Sequence, residues 1–592
     1  MDSTTSFMYQ VKEHLYKRRY FYFVLASVIA VYIIPLILAY LPKGHDIPFH
    51  ITRLGGLAEE IKLGNFPARL YSTIFNNYGY ASPLFYGDWL LYIPALLVVC
   101  GFKVYTAYKF FIMFCIVLAA LSMYFSAQIM FKDKKAACVA ALIYSLSTYL
   151  GTDALVRHAI GELQSFIFIP IAIAGLYDII FHDAKRWLLL PLGLCGVIIS
   201  HTLTSVLTVL FLSVFALICI SRFFEKPKKL LYIIASAGVF ILLAASFIFP
   251  MIEQLESTKF LATDGFSANA YGSLELRSMP NVYSLFSVLN EAVKVGEKSY
   301  FIPQGVGLAL PVMIGWYVTY RDKVLSIEGI AFLLLALLAL FMTSRLFPWE
   351  SLQDEFGTLQ FPWRIMLFAT VFISLFGGVI VKKLAGTSTL SILITIILVV
   401  SFYSVDSTIL WKYKSVYFPT KKDYNVYNYV NQVGLGEYLP TGSNAKKLKS
   451  RGDIITSNSY ISEYNINRDG DLLVVEFNDI TKYNGNKNDE TYIDLPLIMY
   501  KGYKATLESD KVITELTLTY GENNVVRIYI GDIDSGTIKV WYEGTIIQKV
   551  SFIVTLLSFG SVITYFILVY NKRKRNTVTE ESPELSILKE EN

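Results

Sequence analysis

The sequence predicts a polytopic α-helical membrane protein with a small extracytoplasmic β-rich domain near its C-terminus. Three observations carry this. Hydrophobic residues make up 54% of the 592 residues and charged ones only 17%, against about 25% charged in a soluble globular chain. The apolar residues are gathered in blocks of about 17–27, long enough to cross a hydrocarbon core. One late stretch breaks this pattern, with short β-branched and aromatic runs separated by Asn, Asp and Gly.

The apolar runs fall at roughly 20–42, 86–102, 104–131, 136–152, 162–181, 187–221, 230–250, 303–320, 326–344, 363–381, 386–404 and 547–570. The first follows Lys12, Lys17, Arg18 and Arg19. It is too long for a signal-peptide core, so it reads as an uncleaved span. The run 187–221 is too long for one helix and is polar at Ser200-His201-Thr202, so it divides into two short spans.

Cytoplasmic loops collect Lys and Arg, and the basic clusters test the list. If every run spans, Lys132-Asp133-Lys134-Lys135 and most later clusters fall outside. If 86–102 does not span, all fall inside. That run is short and holds Pro94, which suits an interfacial or re-entrant helix. The expectation is therefore about twelve transmembrane helices plus an interfacial helix, with both termini cytoplasmic.

The expected domains are a transmembrane region at 1–404, a β-rich domain at 405–546, a final transmembrane helix at 547–570 and a disordered cytoplasmic tail at 571–592. An outer loop at 43–103 carries interfacial helices. Leu472-Leu473-Val474-Val475-Glu476-Phe477 and Thr537-Ile538-Lys539-Val540-Trp541-Tyr542 read as strands of a small sandwich.

The net charge of +5 is too small to argue for nucleic acid. The five cysteines lie in or beside apolar runs, with neither metal nor disulfide spacing. The chain has no Walker A, dinucleotide-binding, HExxH or GxSxG pattern, and ATP-driven transport is not expected.

Candidate chemistry gathers on the outer face. In Gly44-His45-Asp46-Ile47-Pro48-Phe49-His50-Ile51-Thr52-Arg53, Asp46 and Pro48 mark a helix start. Ile51, Leu54, Leu57, Ala58 and Ile61 form an apolar stripe suited to the membrane surface. Asp46, His50 and Arg53 share a different face through their i, i+4, i+7 spacing. From spacing alone, an N-capping Asp with solvated charges is an equal reading. A second outer loop at 151–161 holds Asp153, Arg157 and His158, and Glu162 borders the next span, where ionisable groups are costly and often functional. His201 also maps outside. Gln360-Phe361-Pro362-Trp363-Arg364 opens a later span; alone, it reads as an aromatic-belt Trp with a snorkelling Arg.

These residues resemble the GT-C superfamily of membrane glycosyltransferases and, more narrowly, the bacterial YfhO-type membrane proteins. The resemblance runs along most of the chain: Gly-His-Asp with Arg53 after the first span, Asn65-Phe66-Pro67-Ala68-Arg69, Tyr78-Gly79-Tyr80 to Phe85-Tyr86, Arg157 to Glu162, Ser200-His201-Thr202, Gln360 to Arg364, Gly436-Glu437-Tyr438-Leu439-Pro440, Tyr500-Lys501-Gly502-Tyr503 and Tyr542-Glu543-Gly544-Thr545. It implies a GT-C-like transmembrane region in a bacterial cytoplasmic membrane, with the active site facing outward. It also implies a polyprenyl-phosphate sugar donor, a cell-envelope glycan acceptor, and an essential Asp at Asp46. Asp153 and Glu162 compete for a second acidic position. No cofactor is expected; a divalent metal stays possible, although the absence of a DxD pair argues against metal dependence.

A polyprenyl phosphate leaving group needs cations more than a general acid, whereas the acceptor hydroxyl needs a base. Asp46 is assigned as base and Arg157 and Glu162 as catalytic partners. Arg53, Arg157 and Arg364 are phosphate clamps. His45, His50, His158, His201, Asp153 and Gln360 complete the candidate substrate-binding set. Two other readings stay open: a lipid-linked glycan flippase, and a non-catalytic scaffold that binds cell-wall polymer.

Overall fold

The computed structural model describes residues 13–38, 44–264, 325–384, 394–405, 436–482 and 490–580, with short pieces between 276 and 314. The apolar run 303–320, the start of the β-rich domain at 406–435 and the tail beyond 580 lie largely or wholly outside the described residues.

Uninterrupted apolar sequence gives long helices, because a helix satisfies its own backbone groups where no water can. Six described helices are long and apolar enough to cross a membrane: Arg19–Leu38, Val104–Phe131, Lys134–Arg157, Ile160–Phe181, Pro362–Lys383 and Ile546–Lys572. Lys229–Leu243 and Ala245–Ser257, bent by 71° at their junction, add a seventh if they form one broken span. Shorter apolar helices cover Leu189–Ile198, Thr202–Ile218, Ile327–Thr343 and Ile394–Val405. Leu38 is 81% and Ile546 80% exposed. Apolar side chains on the outside of long helices mark a multi-pass membrane protein, since lipid rather than water is their solvent.

Most breaks follow the polar punctuation. The run 187–221 forms two helices, with Ser200 and His201 at the break. Residues 86–102 hold only a short helix at Tyr92–Val99 after a 3-10 turn, and 8 residues rise about 12 Å, too little to span. Three features differ from the sequence expectation. Asp153–Arg157 is not a solvated loop: it is a buried π-helical turn that continues the preceding helix. The final helix continues through the basic cluster to Glu580, so part of the expected disordered tail is helical. Between the spans, a hairpin pairs β1 (Glu291–Val295) with β2 (Lys298–Ile302).

The helix Ile47–Lys62 gives a fourth difference. Its stripe of Ile51, Leu54, Leu57 and Ala58 is buried in protein rather than laid on the membrane, and Thr52, Arg53, Gly55 and Gly56 on its other side are buried too. Gly56 makes this fit possible: a Cβ there would sit 2.9 Å from Ile74 and 3.0 Å from Tyr71.

The β-rich domain has two antiparallel sheets. One orders β3 (Thr456–Ser457), β6 (Tyr492–Ile498), β10 (Val525–Tyr529) and β9 (Leu518–Tyr520). The other orders β4 (Ser459–Asp469), β5 (Leu472–Lys482), β11 (Gly536–Tyr542), β7 (Tyr503–Ser509) and β8 (Val512–Glu515). Alternate residues such as Leu473, Val475 and Phe477 are buried, as the period of two requires. The domain docks on the outer loop through hydrogen bonds at Tyr78: Ile498 N–H donates to the Tyr78 carbonyl at 2.8 Å, and the Tyr78 hydroxyl to the Gly452 carbonyl at 2.6 Å.

Small residues let Ile160–Phe181 and Leu189–Ile198 meet closely, as membrane helices commonly do. A Cβ on Gly193 would lie 2.3 Å from the Ala172 nitrogen, and one on Gly175 2.1 Å from that of Leu190. Gly193→Ala is expected to cost about 1–3 kcal/mol through overpacking, read as a lower unfolding temperature in detergent. An unchanged temperature contradicts the close approach.

Candidate functional site

The site begins where the helix Lys134–Arg157 ends. His158 takes a left-handed backbone (φ 57°) that turns the chain into the next helix. Its ring stacks on Tyr108, with centroids 6.1 Å apart. Glu162 follows in the first turn of Ile160–Phe181, where the helix dipole favours a carboxylate.

This short reversal brings Arg157 and Glu162 face to face. Arg157 Nη1 donates to Glu162 Oε2 at 2.8 Å and Nη2 to Oε1 at 2.6 Å, a bidentate pair. Nη1 also donates to Asp153 Oδ1. Tyr149 hydroxyl stands 3.3 Å from Glu162, and the guanidinium lies 4.4 Å over the Trp363 ring. Arg364 arrives from far along the chain, its Nε 3.1 Å from Glu162 Oε1. Asp153, Arg157 and Glu162 are buried, while the Arg364 side chain keeps 15% exposure.

Asp46 is pinned beside this cluster by backbone. Its N–H donates to the Arg157 carbonyl at 3.0 Å, and His45 N–H to that of Val156 at 3.3 Å. The turn requires Gly44, because a Cβ there would fall 1.8 Å from His158 Cδ2. Asp46 occupies the N-cap position of Ile47–Lys62, yet its side chain makes no capping bond. The carboxylate is half-buried. Burial raises its pKa above the ordinary aspartate value, Arg157 and Arg364 pull it back, and Glu162 pushes it up.

The other expected residues divide. Arg53 is buried and ion-paired with Asp88, donates to the Gly87 carbonyl at 3.0 Å, and lies 4.0 Å over the Tyr86 ring. His50 Nδ1 is 3.2 Å from Arg53 Nη1. Burial and the Arg53 charge hold His50 well below its ordinary pKa. The expected face of Asp46, His50 and Arg53 therefore splits: His50 meets Arg53 and Arg53 pairs with Asp88, while Asp46 is bonded through its backbone to Arg157. His201 caps Thr202–Ile218 by accepting from Thr204 N–H. Burial lowers its pKa to about 3, which keeps the ring neutral. His45 is exposed. Gln360 is half-buried at a left-handed turn (φ 61°) before Arg364.

Tyr86 joins the two groups. Its ring is 6.1 Å from that of His50 and 5.6 Å from that of His201, and a Cβ on Gly161 would meet its hydroxyl at 2.2 Å. Asp88, Tyr71 and Tyr149 escaped the sequence reading. The one signal for Asp88 was its place at the edge of an apolar run. Among the described residues no group of three or more His, Cys, Asp or Glu could hold a metal ion. Asp153 and Glu162 are instead occupied by arginine.

These features define a membrane protein with a buried arginine–carboxylate cluster beside one accessible aspartate. By sequence the chain matches no protein-family model and no curated protein. Several solved structures share part of its shape. They include the arabinofuranosyltransferase AftD from Mycobacteria (11% identity, TM-score 0.36, covering 66% of this chain and 27% of that one). The oligosaccharyltransferase of Archaeoglobus fulgidus is another (12%, 0.40, covering 74% and 60%). A third is ArnT from Cupriavidus metallidurans bound to undecaprenyl phosphate (11%, 0.41, covering 71% and 75%). The chain thus spans less than two thirds of the first two, and each likeness is partial.

Glu162→Gln removes a charge that answers two guanidiniums, and breaking a buried pair costs about 3–5 kcal/mol. Its unfolding temperature in detergent should fall clearly, while Asp46→Asn should unfold like wild type. Equal stability of Glu162→Gln and wild type contradicts the cluster.

Proposed function

We propose that this protein is an inverting membrane glycosyltransferase. It takes a sugar from a polyprenyl-phosphate-linked donor and passes it to a cell-envelope glycan or polymer. The reaction takes place at the outer face of a bacterial cytoplasmic membrane, in a chain of about twelve spans related to the YfhO-type proteins. The carrying observation is the half-buried Asp46 carboxylate, free of any capping bond, beside Arg364 and the Arg157–Glu162 pair.

In the reaction, the acceptor hydroxyl oxygen attacks the anomeric carbon and its proton passes to Asp46. The bond from that carbon to the phosphate oxygen breaks, and polyprenyl phosphate leaves with the electron pair. Burial makes Asp46 a stronger base than a solvated aspartate. The partly exposed Arg364 meets the phosphate, where guanidinium geometry suits its oxygens. Arg157 and Glu162 hold Arg364 in place and balance its charge. Arg53, held by Asp88, acts at one remove by supporting the Tyr86 ring it lies over. Because Asp153 and Glu162 are held by Arg157, no step is routed through a metal.

The test is donor consumption in proteoliposomes given radiolabelled polyprenyl-phosphate hexoses and cell-wall polymer. Wild type should transfer sugar, and Asp46→Asn should lose about 10²–10⁴-fold while staying folded. Normal transfer by Asp46→Asn rejects the base assignment. If label instead crosses the bilayer equally in both proteins, the flippase reading replaces this one.

The pH profile gives a second test. Transfer needs Asp46 ionised, so kcat/KM should fall as pH drops through the raised pKa. The acid limb should therefore lie above the ~3.9 of an unperturbed aspartate. A limb at the ordinary value contradicts the burial of the base.

A further inference from the structure

Tyr86 is held from several sides. Arg53 lies 4.0 Å over its ring, and the ring of His201 is 5.6 Å away. Phe85, the residue before it, stacks flat on Tyr438 of the β-rich domain, with centroids 5.2 Å apart and planes 1° apart. Tyr438 is itself fixed by its backbone: its N–H donates to the Tyr80 hydroxyl at 3.1 Å, and its carbonyl accepts from the Tyr500 hydroxyl at 3.0 Å. A side chain braced by this many neighbours keeps one orientation.

Gly161 clears the space the Tyr86 hydroxyl occupies. A Cβ there would fall 2.2 Å from that hydroxyl and 2.9 Å from His201 Cδ2, so both groups crowd the first turn of Ile160–Phe181. Glu162, the next residue, stands 3.1 Å from Arg364 Nε. The hydroxyl and the imidazole edge therefore lie one residue from the anchor of the guanidinium assigned to the donor phosphate.

Both groups are uncharged hydrogen-bond donors. His201 Nδ1 accepts from the Thr204 N–H at 3.3 Å; because the ring is neutral, its proton sits on Nε2. Cδ2, the ring atom nearest Gly161, is bonded to that nitrogen. Burial pushes the Tyr86 pKa up to about 12, so the hydroxyl keeps its proton. Both side chains are half-buried. Among the described residues the Tyr86 hydroxyl and His201 Nε2 make no hydrogen bond, and both keep accessible surface.

A phosphate at Arg364 carries the sugar directly on one of its oxygens. The guanidinium matches the charged phosphate, and uncharged donors beside it match the uncharged oxygens of the sugar. Site groups with no other partner discriminate strongly against a ligand that lacks the matching hydroxyl.

We propose that Tyr86 and His201 form the seat of the donor sugar. The Tyr86 hydroxyl and the His201 Nε2–H donate to two hydroxyl oxygens of a polyprenyl-phosphate-linked hexose whose phosphate rests on Arg364. The seat rests on the donor class proposed above, and it makes the enzyme selective for a sugar that carries both hydroxyls.

The experiment measures equilibrium binding to the full-length protein in detergent, without acceptor, so that nothing is transferred. The ligands are undecaprenyl phosphate and its glucose, galactose and mannose esters. Wild type should bind one of the esters more tightly than the bare lipid. Tyr86→Phe keeps the ring over Arg53, and His201→Asn keeps a helix-capping oxygen. Each should bind that ester about tenfold more weakly, equivalent to about 1.4 kcal/mol, and bind the bare lipid as wild type does. A purely structural role would weaken both ligands alike. Either variant decides alone if the other does not fold. A wild type that prefers no ester, equal losses for ester and bare lipid, or no loss for either, overturns the seat and leaves the glycosyltransferase reading standing. A wild type that binds none of the four ligands overturns both.

Discussion

The bidentate pair between Arg157 and Glu162 is the constraint on which the site depends. Two charges withdrawn from water are stable only if each is matched and hydrogen-bonded. Here Glu162 meets a second guanidinium and Arg157 a second carboxylate. Matching them forces the tight reversal at His158, and with it the position of the Gly44–Asp46 segment, whose backbone bonds to the Val156 and Arg157 carbonyls. Asp46 is therefore placed by backbone, which leaves its carboxylate free for chemistry.

A second pair, Arg53 with Asp88, does the equivalent work in the outer loop. It fixes the helix Ile47–Lys62 against the segment leading to Tyr92–Val99 and sets Tyr86 between His50 and His201. Among the described residues the β-rich domain adds no charge to the Asp46 cluster, but it holds the outer loop through Tyr78, and it forms one wall of a cavity at Arg69.

Much of this was legible in the sequence. Unbroken apolar runs gave the long helices, and Ser200-His201 gave the break between two short ones. Arg157 and Glu162 drew notice because ionisable groups beside a span need a reason to be there. Periodicity was less informative for Ile47–Lys62. It marks which face is apolar without saying whether lipid or protein covers it, and here protein does. The Arg53–Asp88 pair was illegible because an irregular segment separates its members. Arg364 could be joined to Glu162 only by folding. The spacing of Asp46, His50 and Arg53 suggested one shared helical face, but Asp46 sits at the N-cap with its N–H bonded to the Arg157 carbonyl, while His50 meets Arg53 and Arg53 meets Asp88.

The central claim is direct displacement: one carboxylate base on the acceptor and an arginine-held phosphate as leaving group. The measurement that tests it most directly is the anomeric configuration of the sugar transferred by the wild-type protein in proteoliposomes, read by NMR from a donor of known anomer. Direct attack predicts a product of inverted configuration. A retained configuration, or no transferred sugar from any polyprenyl-phosphate donor, contradicts the account.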